Sequence, residues 1–251
     1  MDPKDRMIVA LDVDNPTRAL VLAKLLAPVV GCFKFGLEFI SSMIASVVLA
    51  ESEEKAAANS RIIRELFQTL EDKIFWDGKF ADIPNTVGKA SGAVARMNVK
   101  MFNVHATCGI EAMRAAVANK GSSLVLAVTV LTSLSDTDSK HIFGEESKPK
   151  VAALAYDAMA AGCDGIVCSP QELNFLAGYE CDLGNLLKVT PGIRSSDAPP
   201  DDQNRTMTPA EAIKAGATYL VIGRPIINYP MEKGGPVEGA KKIADEIASV
   251  L

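Results

Sequence analysis

The charged pair Asp77 and Lys79 is the strongest chemical signal in the sequence. Both residues lie in Ile74–Lys79, an apolar run typical of a buried strand. Their i, i+2 spacing places both side chains on one face of that strand. A lysine in apolar surroundings tends to lose its proton, but a carboxylate two residues away, with Asp12 and Lys34 on neighbouring predicted strands, would hold it charged. The pattern therefore predicts a fixed ammonium at a strand end.

A plainer interpretation of Asp-x-Lys is a solvated ion pair at a strand end, which is the commoner role of an isolated match. Four alternating charges on three consecutive strands favour a functional site instead. Asp82 comes three residues after Lys79, so we expect it in the following turn rather than on the same strand face. His105, at the end of another predicted strand, is more typical of a hydrogen-bonded structural histidine.

The elements that must position these charges are short apolar strands alternating with Ala-rich helices. Most of the strand candidates are continuous apolar runs ending in a polar residue, as expected for parallel strands buried on both faces. The predicted strands are Met7–Val13, Cys32–Phe35, Ile74–Lys79, Met101–His105, Leu124–Leu131, Gly165–Cys168, Leu187–Thr190 and Tyr219–Ile222. The predicted helices are Pro16–Ala27, Pro84–Met97, Gly109–Ala118, Val151–Ala161, Pro209–Ala215 and Val237–Val250.

Eight strands alternating with helices over 251 residues predict an α/β protein of the (β/α)8 TIM-barrel class, with residues 1–251 forming a single domain. A doubly wound open sheet is the alternative, but no G-x-G-x-x-G follows the first strand. The polar stretch Thr132–Lys150 is interpreted as a barrel insertion, and Glu51–Ala58 as a helical extension between the second and third strands.

In a barrel of this class the chemistry lies at the carboxyl ends of the strands. Thr132 follows the fifth predicted strand, Arg194 the seventh, and Gly223 and Arg224 the eighth. Because the loops after strands seven and eight commonly bind phosphate, the two arginines are candidates for an anion site. The alternative is that they are ordinary rim residues.

Composition excludes several classes of function. The 26 Lys and Arg against 31 Asp and Glu give a net charge of −5 without a basic cluster, so no nucleic-acid partner is expected. The charged start Met1–Arg6 is unlike a signal peptide, and the longest apolar run, Phe39–Ala50, is too short and Ser-rich to span a membrane. Five cysteines without C-x-x-C spacing and two histidines predict a reducing, cytoplasmic location and no metal site.

The segment from Asp77 to Thr86 resembles the D-x-K-x-x-D-I-P-N-T signature of the orotidine 5′-phosphate decarboxylase family. The full string is highly specific, whereas D-x-K-x-x-D alone is shared with related phosphate-binding barrels. The similarity runs from Met7 to Leu251 and includes further pieces in the same order. These are Leu11-Asp12, Lys34-Phe35-Gly36, Thr132-Ser133, Thr190–Arg194, Gln203 and Gly223–Ile226.

The resemblance implies removal of CO2 from orotidine 5′-phosphate to give uridine 5′-phosphate, without metal or organic cofactor. It assigns the proton donor for pyrimidine C6 to Lys79, flanked by Asp77 and Asp82, and the ribose contacts to Lys34 and Asp12. It implies a homodimer in which the partner chain supplies Asp82, Ile83 and Thr86 to the neighbouring site. The remaining substrate contacts it implies are Thr132 for the pyrimidine and Arg194, Gln203, Gly223 and Arg224 for the phosphate.

Two spacer positions depart from the family pattern, since Gly78 stands where a larger apolar residue is usual and Ala81 where His is common. Two other functions stay open at this point. One is a Mg²⁺-dependent decarboxylase or aldolase of the same barrel group acting on a sugar phosphate. The other is a catalytically inactive barrel that binds a ligand or a partner. The I-P-N-T continuation and Lys34 argue against the first, and the intact charge chain against the second.

Overall fold

Eight parallel strands close into a barrel in which each strand pairs with its neighbours in chain order and β1 pairs with β8. The structure is a computed structural model, and it describes residues 1–179, 183, 186–194 and 206–251. The barrel confirms the predicted (β/α)8 class and contradicts the alternative of an open sheet. The strands are β1 Met7–Ala10, β2 Cys32–Phe35, β3 Ile74–Phe80, β4 Met101–His105, β5 Leu124–Val128, β6 Gly165–Val167, β7 Leu187–Thr190 and β8 Tyr219–Ile222.

The helices surround the barrel, and several begin at the signals visible in the sequence. Asn15 caps the first helix by accepting a hydrogen bond from the Arg18 N–H, and Thr208 forms a capping box with Glu211. Among the described residues the helices are α1 Pro16–Leu26, α2 Leu37–Val48, α3 Glu53–Leu70, α4 Pro84–Ala95, α5 Ile110–Ala118, α6 Asp136–Phe143, α7 Ser147–Ala161, α8 Leu173–Ala177, α9 Pro209–Lys214, α10 Arg224–Ile227 and α11 Gly235–Ala248.

The apolar side chains form two layers, one inside the barrel and one between the strands and the helices. Phe75 belongs to the inner layer, whereas the next residue, Trp76, packs into the outer layer. This alternation matches the predicted strand parity of β3. The inner layer is Ile8, Ala10, Cys32, Phe75, Met101, Leu126, Val189, Tyr219 and Val221, with Leu124, Val167 and Leu187 against it. Apolar side chains therefore fill the lower levels of the interior, and the charged side chains of Lys34, Asp77 and Lys79 lie toward its carboxyl end.

The structure corrects several sequence predictions of element boundaries. β1, β5 and β6 end before the predicted Val13, Leu131 and Cys168, although Leu11, Thr129 and Cys168 still donate backbone hydrogen bonds to the neighbouring strands. The stretch Thr132–Lys150 contains α6 and the start of α7. Its cap, Ser135 with Asp138, lies in a segment too polar to show helical periodicity.

Two further helices differ from the prediction. The apolar run from Phe39 largely forms α2, which the sequence analysis did not assign as a helix. Glu51–Ala58 contains the first turns of α3, a helix of 18 residues capped by Ser52. Within the described ranges, none of the helices combines the length and apolar character that crossing a membrane requires.

A substitution at Gly165 tests how closely the backbones of β6 and β7 approach each other. A Cβ at this position would lie 2.5 Å from the Leu187 carbonyl oxygen and 2.7 Å from the Leu187 Cβ. We expect Gly165→Ala to lower the free energy of unfolding by about 1–3 kcal/mol, because backbone must move to relieve the overlap. Gly92→Ala in α4 is the control. Its Cβ would meet nothing closer than 3.9 Å, so that variant should equal or exceed the wild type in denaturant unfolding. Equal stability of the two variants would contradict this packing.

Candidate active site

A cavity of about 600 Å³ opens at the carboxyl ends of the strands, a size typical of small-molecule sites. Its lining includes most of the residues that the sequence analysis singled out. They are Asp12, Lys34, Asp77, Lys79, Thr132, Arg194, Gly223 and Arg224. Gln203 lies outside the described residues. Asp82, Ile83 and Thr86 are not in this lining.

Four charged side chains from β1 to β3 form a continuous chain across the cavity floor. Lys34 Nζ lies 3.2 Å from Asp12 Oδ1 and 3.3 Å from Asp77 Oδ2, and Lys79 Nζ lies 2.7 Å from Asp77 Oδ1. The Asp77 side chain is only 9% exposed, against 48% for Asp12. A solvated strand-end pair is therefore the wrong description, because the central carboxylate is buried between two ammonium groups.

Asn103 on β4 completes the surroundings of Asp77, and the sequence analysis missed it. Its side chain is 1% exposed. Its Nδ2 donates to Asp77 Oδ1 at 2.7 Å, and its Oδ1 accepts from the Lys79 backbone N–H at 2.7 Å. The sequence did contain a signal. Asn103 is a polar residue in an apolar strand, two residues from Met101, so its side chain shares the face of β4 that points into the barrel.

The strand that carries Asp77 and Lys79 is irregular at these residues. Trp76 pairs with Phe102 and Phe80 with Val104, so four steps along β3 match two along β4. Lys79 has a φ of +49°, a left-handed conformation that costs of order 1–3 kcal/mol for a residue with a side chain. Because this backbone leaves the ladder, its N–H bonds to the Asn103 side chain instead of to a neighbouring strand.

Two glycines at the site have contacts that exclude a side chain. A Cβ at Gly36 would lie 2.7 Å from Lys34 Nζ and 3.2 Å from Asp12 Oδ1, so only glycine leaves the ammonium in place. A Cβ at Gly78 would lie 2.8 Å from Trp76 Nε1. The unusual glycine at position 78 therefore accommodates the indole of Trp76.

The other side of the cavity is lined by the loops after β7 and β8. Arg194 follows β7, and Gly223 and Arg224 lie at the end of β8 and the start of α10. Arg18 of α1 also belongs to the lining. Three guanidinium-bearing residues in one lining make this part of the cavity suited to an anion.

The bend between β3 and α4 is exposed in the single chain. Asp82 accepts a hydrogen bond from the Ile83 N–H at 2.7 Å, and the Ile83 side chain is 65% exposed. Thr86 in the first turn of α4 is exposed as well. The structure thus groups these three residues on one surface but does not bring them to the cavity of their own chain.

Burial shifts the pKa of one histidine near the site and of two cysteines elsewhere in the barrel. Burial lowers the pKa of His105, and the Lys79 ammonium lowers it further, while Asp77 opposes both. Burial raises the pKa of Cys163 and Cys168 to about 12, so both are unreactive thiols at neutral pH. Among the described residues no three His, Cys, Asp or Glu side chains gather as metal ligands would.

Comparison with known proteins shows what the chain is similar to. Residues 5–243 match the family described as orotidine 5′-phosphate decarboxylase / HUMPS. Orotidine 5′-phosphate decarboxylase of Heliobacterium modesticaldum is 41% identical over 265 residues, covering 100% of this chain and 99% of the relative. The Moorella thermoacetica enzyme of the same name is 39% identical, covering 100% and 95%. The crystal structure of the Lactobacillus acidophilus enzyme superposes with a TM-score of 0.73 at 29% identity, covering 96% of this chain and 98% of that one.

The histidine titration provides a test of these electrostatics. The chain has two histidines, so His141→Gln leaves His105 as the only imidazole for NMR. We expect its midpoint below 6.5, because burial and Lys79 disfavour the imidazolium. Adding Lys79→Met should move the midpoint upward, because the charge that lowers the pKa of His105 is removed while Asp77, which raises it, remains.

The sign for stability follows from the same shift. The unfolded chain binds this proton at higher pH than the folded chain does, so this group's contribution to stability falls as pH drops through 6.5. A midpoint above 6.5, or a downward shift in Lys79→Met, would contradict the described surroundings of His105.

Proposed function

The chain belongs to the orotidine 5′-phosphate decarboxylase / HUMPS family, and we propose that it converts orotidine 5′-phosphate to uridine 5′-phosphate and CO2. The observation that carries the proposal is the chain of alternating charges Asp12–Lys34–Asp77–Lys79 on the cavity floor, in which Asp77 is buried. Such a chain supplies a fixed ammonium beside a site that also holds anion-binding groups. The reaction requires no redox partner, and we propose that no metal or organic cofactor takes part.

Lys79 is the proposed proton donor. Cleavage of the bond between C6 and the carboxyl group releases CO2 and leaves the electron pair on C6. An ammonium facing that carbon stabilises the developing negative charge and then donates a proton to it. The product is uridine 5′-phosphate and a neutral Lys79 amine, which takes up a proton from water before the next turnover.

Asp77 is proposed to hold Lys79 charged and oriented. Its Oδ1 accepts from Lys79 Nζ at 2.7 Å, and its burial makes this contact stronger than one in water. Lys34 and Asp12, at 3.2 Å from one another, are proposed to bind the ribose hydroxyl groups. Thr132, also in the cavity lining, is proposed to contact the pyrimidine.

The phosphate is proposed to bind Arg224 and the backbone of Gly223, with Arg194 nearby and Gln203 as a further contact. The guanidinium groups are positively charged, the phosphate is negatively charged, and a guanidinium can donate two parallel hydrogen bonds to phosphate oxygens. Binding energy from this remote group would help to organise the site around the reacting carbon.

A homodimer is proposed in which the partner chain contributes Asp82, Ile83 and Thr86 to each site. Two observations support this. The Ile83 side chain is 65% exposed in the single chain, which leaves an apolar side chain next to Asp82 available for contact with a partner chain. Among the contacts described, the only hydrogen bond that the Asp82 carboxylate accepts comes from the N–H of the next residue, Ile83.

Lys79→Ala tests the proposed reaction. Purified wild-type protein should consume orotidine 5′-phosphate, which is measured as a loss of absorbance. The rate should be the same in the presence of EDTA. Lys79→Ala should lower kcat by about 10³-fold or more, because both the charge and the proton donor are removed. The matched control is Lys120→Ala. Its ion pair with Asp164 at 2.6 Å and its 25% exposure resemble those of Lys79, but it lies at the amino end of β5 and β6.

Three results would contradict the proposal. One is wild-type protein that is inactive on orotidine 5′-phosphate. Another is activity that EDTA abolishes, which would favour a metal-dependent reaction. The third is a Lys79→Ala variant whose turnover equals that of Lys120→Ala.

Mixing two inactive variants tests the shared site. Lys79→Ala and Asp82→Ala homodimers should each be inactive. After dissociation and random reassociation of equal amounts, half of the dimers are hybrids, and each hybrid has one intact and one doubly altered site. Activity should therefore return to about one quarter of the wild-type value per site. If Asp82 serves the cavity of its own chain, the hybrids contain no intact site and no activity returns.

A further inference from the structure

We propose that Asn103 is a positioning residue that sets the place of the Lys79 ammonium by fixing Asp77 and the Lys79 backbone together. This inference rests on the proposed function, because it concerns the same reaction. Asn103 is assigned no contact with substrate. Its role is to hold the two residues that form the reactive end of the charge chain.

Side chains from three strands hold the Asp77 carboxylate. Oδ1 accepts from Lys79 Nζ and from Asn103 Nδ2, both at 2.7 Å, while Oδ2 faces Lys34 Nζ at 3.3 Å. The amide therefore fixes the rotation of the carboxylate about its terminal torsion, which is otherwise a soft degree of freedom. With Oδ1 fixed, the direction from which Lys79 must approach is fixed too.

The same amide also holds the backbone of Lys79. Its positive φ and the break in register between Trp76 and Phe80 remove this residue from the β3–β4 ladder. The Asn103 Oδ1 accepts its N–H at 2.7 Å and so replaces the missing ladder bond. One amide thus controls both ends of Lys79, the main chain directly and the ammonium through Asp77.

The chemistry of the Asn103 side chain suits both contacts. At 1% exposure, a buried group here must donate to a carboxylate and accept from an N–H at the same time. A primary amide does both without adding charge. An aspartate would place a second carboxylate against Asp77, and a leucine would leave the Lys79 N–H without its acceptor and remove one donor from Asp77.

Asn103→Ala is the direct test, with Ser123→Ala as the matched control. Ser123 is also 1% exposed and donates one buried hydrogen bond, to the Val99 carbonyl oxygen at 2.7 Å, but it lies just before β5 at the amino end of the barrel. We expect Asn103→Ala to lower kcat for orotidine 5′-phosphate by about 10²-fold, the effect of misplacing a reacting group by about 1 Å. KM should change by less than about threefold. Ser123→Ala should lower the thermal midpoint without changing kcat.

Asn103→Asp separates the two contacts and remains useful if the alanine variant folds poorly. It keeps an acceptor for the Lys79 N–H but loses the donor to Asp77. Two carboxylates at hydrogen-bond distance share a proton, so the acid limb of its kcat profile should move to higher pH. The charged and titratable groups facing this pair are Lys79 on β3, Lys34 on β2 and His105 on β4, and the substitution leaves all three in place.

The proposal is overturned if Asn103→Ala keeps kcat within about threefold of wild type. It is also overturned if the loss of kcat relative to the loss of stability is the same in Ser123→Ala as in Asn103→Ala. An unmoved acid limb in Asn103→Asp also overturns it. An inactive wild-type enzyme would instead overturn the proposed function. In that case a crystal structure of Asn103→Ala decides the positioning, since retention of the left-handed Lys79 backbone and of its ammonium against Asp77 would contradict it.

Discussion

The buried carboxylate of Asp77 is the constraint on which the rest of the site depends. An isolated ion at 9% exposure would be strongly disfavoured, so it must be surrounded by donors. Lys79, Asn103 and Lys34 supply them from three adjacent strands, β3, β4 and β2. Removing one partner of such a group leaves an uncompensated charge, which is why these side chains act as a unit.

Barrel closure and several local irregularities bring those donors together. Parallel pairing of β1, β2 and β3 aligns their carboxyl ends, and this places Asp12, Lys34 and Asp77 side by side. A regular β3 would keep Lys79 in the ladder. The irregular pairing after Trp76 releases its backbone, and Gly36 leaves room for the neighbouring ammonium. The pairing of β3 is thus irregular at the residues where the charged side chains meet.

Much of this could be predicted from the sequence, because it depends on short-range periodicity. Alternating strands and helices predicted the barrel, and the i, i+2 spacing predicted that Asp77 and Lys79 would meet. The three-residue spacing after Lys79 likewise placed Asp82 in the turn after β3. Gly223 and Arg224 follow from their position after the eighth strand.

What the sequence did not predict depends on contacts between distant segments. Asn103 is 24 residues from Lys79, and its role requires the register of β3 against β4. The contact of Gly36 with Lys34 appears only when the side chains are in place. α6 begins at a polar capping box, where hydrophobic periodicity gives no signal.

The buried carboxylate of Asp77 is proposed to keep Lys79 charged and in position for proton transfer. The most direct test is the single-turnover rate of Asp77→Asn with saturating enzyme, compared with wild type. Asparagine keeps the shape but removes the charge that Lys34 and Lys79 share. We expect a rate lower by at least about 10²-fold with the barrel still folded. A rate within about threefold of wild type would contradict it.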